Sequence, residues 1–218
     1  MGFFSKIKLK NILNAKPVSD KFGFDRGTPI DRYYIESFFK SNAAHIKGEV
    51  LEIAEDTYTK KFATSEVNSQ ILHFDKSNPK ATVIGDLCNL STLTENSVDC
   101  FICTQTFNFI YNFKDAIKGS HYILKPGGTL LATLACMSPI SKYDAERWGD
   151  YWRFTPQSAH KVFSEIFSEN KIEVVPLGNS AAAALFMKGY AQEDLEGNVD
   201  LKVNDELFPL IIGIKAVK

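Results

Sequence analysis

Three carboxylates stand at or just after the ends of successive predicted strands: Glu52, Asp75 and Asp86. In an open α/β sheet, ligands bind beyond the carboxyl ends of the strands. A charged group at such a place needs a partner, because burying it alone is unfavourable. We therefore predict a nucleoside pocket in which Glu52 faces an amine or the turn, Asp75 the ribose hydroxyls and Asp86 the adenine edge. A solvated strand end is the alternative for Glu52.

The turn after the first predicted strand indicates a ligand without phosphates. Binding a pyrophosphate requires glycines, so that backbone N–H groups can approach it closely. Ala54, Asp56 and Tyr58 stand where those glycines would be, and Asp56 would repel a phosphate. The missing glycines therefore favour a nucleoside that carries no phosphate groups.

A polar and aromatic segment, 136–154, follows the fifth predicted strand, and we expect it to hang over the strand ends. Aromatic rings beside carboxylates and arginines suit a sugar, since rings stack on its faces and charged groups bond its hydroxyls or a phosphate. Asp144 is the first candidate for a catalytic base and Tyr143 the second. The candidates for substrate binding in this segment are Arg147, Trp148, Asp150, Tyr151 and Arg153. Alternatively, the aromatic residues pack under the sheet and the charged ones pair locally.

Apolar patterns and helix signals predict the elements that position these side chains. The predicted strands are 50–54, 71–75, 81–85, 98–104, 129–135, 172–175 and 207–217. The predicted helices are 31–39, 113–124, 155–167 and 181–188. Asp31 is expected to start the first helix, Thr155 and Pro156 the third, and the Pro126-Gly127-Gly128 run to end the second.

Two further features follow from the order of these elements. A helix laid before the first strand commonly ends near the strand tips, so Arg32 and Tyr33 are candidate substrate contacts. Residues 76–80, between the second and third strands, are far fewer than the dozen or more that a parallel crossover needs. We expect either that a flanking strand is displaced or that this pairing departs from the standard arrangement.

The bulk composition argues against several classes of function. A formal net charge of −1 in 218 residues leaves no basic footprint for nucleic acid. No run approaches the roughly twenty apolar residues of a membrane span. Cys100 and Cys103 lie three residues apart on a predicted strand and so point to opposite faces, which indicates reduced thiols in a cytoplasmic protein. The histidines form no cluster with acidic residues at ligand spacing, so no metal is predicted.

The first residues, 3–13, are mixed apolar and basic. Such a segment can lie on an anionic membrane surface, and it can equally pack on its own domain or fray. We therefore predict at most a weak membrane-surface contact through this N-terminal arm.

Five segments together resemble class I S-adenosylmethionine-dependent methyltransferases, in particular small, type 11-like members. They are 48–58, Asp75, Gly85-Asp86-Leu87, 98–104 and the run Leu124-Lys125-Pro126-Gly127-Gly128-Thr129-Leu130-Leu131. The last is the most specific, because it joins a helix, a Gly-Gly turn and the fifth strand in that family's order. The segment 141–155 resembles members associated with sugar and cell-surface glycan pathways.

The resemblance implies S-adenosylmethionine as the cofactor and assigns its contacts by position. The matching positions are Glu52, Ala54, Glu55, Asp56 and Tyr58 for the first strand and its loop, Asp75 for the ribose, Asp86 and Leu87 for the adenine, and Thr104, Gln105 and Thr106 for the fourth-strand exit. At that exit the methionine end of the cofactor meets the acceptor. The altered glycine loop is tolerable, since alanine adds one methyl group and aspartate visits left-handed conformations readily.

The resemblance also implies the fold: an α/β, Rossmann-like class I methyltransferase sheet, mostly parallel with an antiparallel last strand, with trimmed helices and an N-terminal helical arm. We expect one domain over 1–218. Its parts are the arm and first helix (1–47), the cofactor-binding core (48–135), the substrate loop (136–154) and the C-terminal helix with the last strands (155–218).

The leading hypothesis is methyl transfer to an oxygen of a sugar, nucleotide-sugar or glycan precursor. One alternative is a methyltransferase for another small metabolite. The other is a non-catalytic methyltransferase-like module that binds the cofactor or a partner protein, and the altered glycine loop motivates it.

Overall fold

The computed structural model of the protein describes residues 9–195, 197 and 199–218. The strands in this part of the chain are β1 (Gly48–Ile53), β2 (Val67–His73), β3 (Val83–Ile84), β4 (Val98–Thr104), β5 (Leu124–Ala135), β6 (Ile172–Leu177) and β7 (Ile211–Val217). The α-helices are α1 (Leu9–Leu13), α2 (Ile30–Ser41), α3 (Thr57–Phe62), α4 (Phe113–Ile123), α5 (Lys142–Ala145), α6 (Pro156–Ser164), α7 (Ser180–Met187) and α8 (Gln192–Leu195).

The strands form one sheet in the order β3-β2-β1-β4-β5-β7-β6. β1 pairs with β2 and β4 in parallel, and the parallel pairing continues from β2 to β3 and from β4 to β5. β7 lies between β5 and β6 and is antiparallel to both. The predicted Rossmann-like sheet with an antiparallel last strand is therefore confirmed, and the carboxyl ends of β1 to β5 meet at one edge.

Helices cover both faces of the sheet, so its central strands are buried on both sides. On one face, Ile117 of α4 and Phe163 of α6 pack against Phe101 and Cys103 of β4. On the other, residues of α2, α3 and α7 pack against Cys100 of the same strand. The prediction that the two cysteines point to opposite faces is confirmed, and both thiols are buried and free.

The observed positions of the second and third strands explain how the connection between them can be so short. β2 extends from Val67 to His73, so the predicted strand 71–75 was placed too late and Asp75 lies beyond it. β3 is reduced from the predicted 81–85 to two residues, which pair with Leu72 and His73. Because β3 meets only the last two residues of β2, the chain returns at the sheet edge without a crossover helix.

The Pro126-Gly127-Gly128 run lies inside β5 and not between a helix and a strand. α4 ends at Ile123 and β5 begins at Leu124, with a shift of register opposite Val98 and Cys100. Gly127 takes the predicted left-handed conformation, with φ of 80°. Its N–H donates to the Lys218 carbonyl, and the Lys218 N–H donates to Gly128. The run therefore joins β5 to Lys218, directly after β7, an arrangement that local helix signals do not reveal.

The helix starts differ in how well their local signals predicted them. Thr155 caps α6 and forms a reciprocal capping box with Ser158, with Pro156 in the first turn, as predicted. α2 instead begins at Ile30, after Pro29, whose side chain makes no capping hydrogen bond. Asp31 therefore lies within the first turn of α2, and its carboxylate is free for another role.

The N-terminal arm is described from residue 9 onward, and residues 1–8 lie outside the described part of the chain. The Val18 N–H donates to the Lys188 carbonyl at 2.8 Å, and the Lys188 ammonium donates to the Asn14 carbonyl. Residues 14–18 thus pack on the end of α7. No described helix has the length and apolar character needed to cross a membrane.

Gly119 of α4 allows the loop after β3 to pack directly on the helix. A Cβ at Gly119 would lie 2.0 Å from the Leu87 carbonyl oxygen. We predict that Gly119→Ala lowers the free energy of unfolding by about 1–3 kcal/mol, although the same change at an exposed helix position raises it by up to about 1 kcal/mol. Chemical denaturation measures the difference.

The matched control is Lys118→Ala, at the exposed neighbouring position of the same helix. We expect it to stay within about 0.5 kcal/mol of the wild type. A Gly119→Ala protein as stable as this control would show that the Leu87 carbonyl does not pack against α4.

Candidate functional site

One large cleft of about 1470 Å³ opens at the edge where the parallel strands end. The loops that follow β1, β2, β3, β4 and β5 all contribute to its walls, and the first turn of α2 and residues 20–24 cover it from the N-terminal side. This is the place where open α/β sheets bind ligands.

Glu52 is buried at the end of β1, with 2% of its surface exposed. Its Oε1 accepts the Tyr58 N–H at 3.0 Å, and its Oε2 accepts the Thr59 N–H at 2.8 Å and the Thr59 hydroxyl at 2.7 Å. Burial raises the pKa of Glu52 to about 7, against the opposing effect of these hydrogen bonds. The carboxylate lines the cleft, but its two oxygens hold the start of α3.

The turn after Glu52 adopts a glycine-like conformation without a glycine. Ala54 has φ of 64°, in the left-handed region. The Ala54 N–H donates to the Leu72 carbonyl at 2.9 Å, and the Ala54 carbonyl accepts from the Asn78 amide at 2.6 Å. These bonds hold the strained residue at the cleft wall. Gln105, at the end of β4, also has a left-handed φ, of 48°, and lines the cleft; such strain clusters at functional sites.

The two residues that replace the later glycines lie on different sides of the turn. Asp56 does not line the cleft, and its carboxylate pairs with the Lys60 ammonium at 2.9 Å along α3. Tyr58 lines the cleft, and its ring stacks on Phe39 with centroids 4.7 Å apart. Burial raises the pKa of its hydroxyl to about 12.

The tip of β2 presents His73 and Phe74 to the cleft, and Asp75 does not line it. The Asp75 carboxylate accepts the Ser77 N–H at 2.9 Å and lies 3.2 Å from His73 Nδ1. The Ser77 hydrogen bonds lower the pKa of Asp75. Because β2 ends two residues before Asp75, the Asp75 carboxylate lies in the loop. The aromatic ring of Phe74 lines the cleft in its place.

Asp86 and Leu87, after β3, both line the cleft. The Asp86 Oδ1 accepts the Cys88 N–H at 2.8 Å, which closes a tight turn. Leu87 is buried against α4, where Gly119 leaves room for its carbonyl. Both residues therefore lie at the cleft, and their contact with an adenine ring stays a prediction.

Three buried side-chain oxygens in the described part of the chain have no hydrogen-bond partner and belong to residues that line the cleft. They are Asp31 Oδ1, Thr104 Oγ1 and Asn108 Oδ1. The large majority of buried side-chain polar atoms have a hydrogen-bond partner, so unpaired oxygens gathered at one cleft indicate a polar ligand. These acceptor oxygens suit S-adenosylmethionine, whose ammonium, hydroxyl and amine groups can each donate a hydrogen bond to them.

The substrate loop between β5 and α6 is held over the cleft by an internal ion pair. The Asp150 side chain is 1% exposed and binds Arg153 through both oxygens, at 2.5 and 3.0 Å. Asp150 also accepts the Ser141 N–H at 2.9 Å. Burial raises the pKa of Asp150, but Arg153 and Ser141 outweigh it and the net pKa is lowered. Asp150 and Arg153 therefore pair locally, which is one of the two alternatives that the sequence left open.

Asn108 connects the substrate loop to the end of β4. Its carbonyl accepts the N–H groups of Tyr151 at 2.9 Å and Trp152 at 3.2 Å. Its side chain is buried, and Asn108 lines the cleft together with Thr104 and Thr106. The same residue thus fixes the loop and presents an unpaired oxygen to the cleft.

The remaining loop candidates surround the cleft mouth. The Ser141 hydroxyl donates to Asp144 Oδ2 at 2.5 Å. The Arg147 guanidinium carbon lies 3.5 Å from the centre of the Tyr143 ring. Trp148 reaches across to β2, with its ring 6.1 Å from His73 and 6.4 Å from Phe74. The loop and the β2 tip therefore close over one end of the cleft.

The cleft brings together most of the residues that the sequence indicated. Those that line it are Arg32, Glu52, Ala54, Glu55, Tyr58, Asp86, Leu87, Thr104, Gln105, Thr106, Tyr143, Asp144, Arg147, Trp148, Asp150, Tyr151 and Arg153. Tyr33, Asp56 and Asp75 do not line it; Tyr33 packs edge-on against Tyr34.

The sequence did not indicate several cleft residues as ligand contacts, among them Asp31, Asn108 and Tyr111. Asp31 was predicted only to start the first helix, and its burial is decided by packing. Asn108 and Tyr111 belong to the loop after β4, in which the predicted contacts ended at Thr106. The described residues contain no group of three or more potential metal ligands.

Comparisons with known proteins agree with this geometry. Residues 42–132 match the family model described as "Methyltransferase domain". A search with the sequence among curated proteins found no match. A methyltransferase structure from Archaeoglobus fulgidus has a TM-score of 0.55 and 10% identity, over 86% of this chain and 94% of that one.

Two other solved structures are similar. The CurJ carbon methyltransferase has a TM-score of 0.59 and 13% identity, over 90% of this chain and 57% of that one. A Thermotoga maritima methyltransferase, described as a possible histamine N-methyltransferase, has a TM-score of 0.51 and 15% identity, over 86% and 94%. At such identities, these structures show a shared fold.

The sheet order and the cleft at its carboxyl edge are those of the Rossmann-like class I methyltransferase fold, and residues 42–132 match the methyltransferase-domain model. The domain match and the S-adenosylmethionine-dependent structural neighbours imply that the protein is a methyltransferase with S-adenosylmethionine as its cofactor. The Ala54 turn and the unpaired oxygens of the cleft fit that cofactor.

The strain at Ala54 has a measurable consequence. A left-handed alanine costs about 1–2 kcal/mol, and glycine would relieve this at the expense of a more flexible unfolded chain. We predict that Ala54→Gly raises the free energy of unfolding by roughly 0.5–1 kcal/mol, as measured by denaturant unfolding.

Ala63→Gly, at φ of −59° after α3, is the matched control. There glycine only increases the freedom of the unfolded chain, so we expect destabilisation of roughly 0.4–1 kcal/mol. The same sign of change in both variants would contradict a strained Ala54.

Proposed function

We propose that this methyltransferase transfers a methyl group to an oxygen of a sugar, nucleotide-sugar or glycan precursor. The observation that carries the proposal is a rim of exposed aromatic side chains around the cleft, between 42% and 65% exposed. They are Phe24, Phe74, Tyr111, Tyr143, Trp148 and Tyr151.

Exposed aromatic residues gathered at one cleft mouth support a ligand with flat, weakly polar faces. A sugar ring offers C–H faces for stacking and hydroxyls at its edge. The rings belong to four separate loops, so no single apolar segment accounts for them. Clustered exposed apolar surface of this kind marks binding sites.

Polar groups between the rings can bind the hydroxyls and a phosphate of such an acceptor. A smaller hollow of about 540 Å³ joins the cleft where the substrate loop meets the β2 tip. Arg147, His73 and Asn78 line it beside Tyr143 and Trp148. A guanidinium next to aromatic rings suits a sugar phosphate, because it binds oxygens bidentately.

The chemistry assigns little covalent work to the protein. S-adenosylmethionine supplies a methyl group on a positively charged sulfur that is already a good leaving group. The cleft residues align the acceptor oxygen. The substrate loop excludes water, because the ring of its Trp148 reaches Phe74. We assign Asp144 the removal of the hydroxyl proton, with its Oδ2 oriented by the Ser141 hydroxyl.

We also propose that the protein works in the cytoplasm and acts on a small molecule and not on nucleic acid. The supporting observations are the four free cysteines and the net charge of −1. One structural neighbour is described as a carbon methyltransferase and another as a possible N-methyltransferase. Because the fold does not determine the acceptor atom, the acceptor class is inferred from the residues of this chain's own cleft.

An acceptor panel tests the proposal. Purified protein is incubated with S-adenosylmethionine and separate pools of sugars, nucleotide-sugars, glycan precursors, phenols and amines, and mass spectrometry detects the methylated product. We expect transfer to a sugar-containing pool. Transfer only to phenols or amines would support the small-metabolite alternative, and cofactor binding without transfer to any pool would support a non-catalytic module.

Asp144 provides a specific prediction for the transfer step. Asp144→Asn keeps the shape of the side chain but removes its ability to take a proton. We expect turnover of the accepted pool to fall roughly 100-fold or more, with the Kd for S-adenosylmethionine within about twofold of the wild type. Turnover assays and calorimetry measure the two quantities.

Two controls separate a base from a helix cap. Ser141→Ala removes the hydroxyl that bonds Asp144 but leaves the carboxylate in place, so it should retain most of the turnover. Glu165→Gln, at an exposed carboxylate that pairs with Lys114, should match the wild type. If Asp144→Asn and Ser141→Ala lose turnover equally, Asp144 acts only in shaping the loop.

A further inference from the structure

The amino-acid end of S-adenosylmethionine carries an ammonium and a carboxylate, and both need partners in the cleft. The acidic residue at the end of β1 is already engaged, because both oxygens of Glu52 accept hydrogen bonds from Tyr58 and Thr59. Asp56 pairs with Lys60 and does not line the cleft. Three of the about four accepting positions of Glu52 are therefore taken, so a carboxylate with an unpaired oxygen is the better partner for the ammonium.

Asp31 is a carboxylate in the cleft that lacks a full partner. Its side chain is 14% exposed, and its Oδ1 is buried without a hydrogen bond among the described residues. Its Oδ2 lies 4.0 Å from the Arg32 Nη1, at the limit of an ion pair. Burial raises the pKa of Asp31 in spite of that neighbour. A second cation beside Asp31 would complete the site.

Arg32 is the adjacent cation on the same wall of the cleft. Tyr58 and Glu55, from the turn after β1, face its guanidinium. Burial opposes its charge, but Asp31, Tyr58 and Glu55 outweigh this, and its pKa lies above the usual range. The other charged residues that cover this end, Asp20 and Lys21, are exposed to solvent, which screens their charges.

We propose that Asp31 and Arg32 form a clamp for the amino-acid end of the cofactor, in which Asp31 binds the ammonium and Arg32 the carboxylate. The clamp faces the turn after β1, which lacks glycines. Its two residues belong to α2 and not to the loops that follow the strands. The inference rests on the cofactor assignment above, and it moves Arg32 from acceptor binding to cofactor binding.

The clamp also explains the composition of the turn. Tyr58 stands where a glycine would bring backbone N–H groups to the ligand, and it faces the Arg32 side chain instead. A charged pair from α2 can then supply charge-assisted hydrogen bonds at both groups of the amino-acid end, and such bonds are about twice as strong as neutral ones.

Two probes isolate the amino-acid end. S-adenosylhomocysteine carries that end, and 5′-methylthioadenosine keeps the nucleoside and sulfur but lacks it. Isothermal titration of Asp31→Asn and Arg32→Gln should show a Kd for S-adenosylhomocysteine roughly 10- to 100-fold weaker than in the wild type. The Kd for 5′-methylthioadenosine should stay within about twofold, and Arg32→Lys should recover part of the loss.

Matched controls lie on the same helix. Glu36→Gln and Lys40→Gln change one charge each at positions of α2 outside the cleft, and both should bind as the wild type does. Thermal unfolding adds a readout besides binding. Asp31→Asn removes an incompletely paired buried charge, so it should melt at or above the wild-type temperature while its affinity falls.

The outcomes separate the clamp from the cofactor assignment. A wild-type protein that binds neither probe would overturn both. A wild-type protein that binds S-adenosylhomocysteine, with Asp31→Asn and Arg32→Gln within twofold of it, would overturn the clamp alone. Equal loss of both probes, or a lower melting temperature in Asp31→Asn, would assign these residues a structural role and also overturn the clamp.

Discussion

The three hydrogen bonds from Tyr58 and Thr59 to the buried Glu52 carboxylate constrain the rest of the site. A carboxylate at the N-terminus of a helix satisfies N–H groups that have no partner within the helix. Here it also joins the end of β1 to the start of α3 across a short turn. The turn must then reverse within a few residues, which accounts for the left-handed Ala54.

This constraint determines which groups remain available to a ligand. Because most accepting positions of Glu52 are taken, the proposed clamp places the cofactor's amino-acid end on side chains from α2, which packs over the same face of the sheet. Tyr58 takes part in both roles, since its N–H holds Glu52 and its hydroxyl faces Arg32. In the proposed clamp, a charged pair from α2 supplies the contacts that glycines in this loop would allow the backbone to make.

The acceptor side of the cleft is built on a second internal anchor. The Asp150–Arg153 pair and the Asn108 carbonyl anchor residues 150–153 of the substrate loop, and Asp150 also accepts the Ser141 N–H. The exposed rings of Tyr143 and Trp148 lie in the segment between Ser141 and Asp150, so they keep their places without packing in the core. The polar and aromatic residues of this loop divide into those that support the loop and those that stand at the cleft mouth. Asp150 and Arg153 belong to the first group, and Tyr143, Arg147 and Trp148 to the second.

Local signals in the sequence determined the elements and the edge of the sheet where the site lies. The apolar run 98–104 was predicted with the bounds of β4 because both faces of that strand are buried, and the α6 start followed from Thr155 and Pro156. Register and partner choice were decided only by the tertiary structure. β2 is set by pairing with β1, which leaves Asp75 outside the cleft, and Asp31 has an unpaired oxygen because of what packs around α2. Hydrogen-bond partners come from segments far apart in the chain, so a sequence can indicate which residues reach a cleft, but only packing determines which of their atoms are already satisfied.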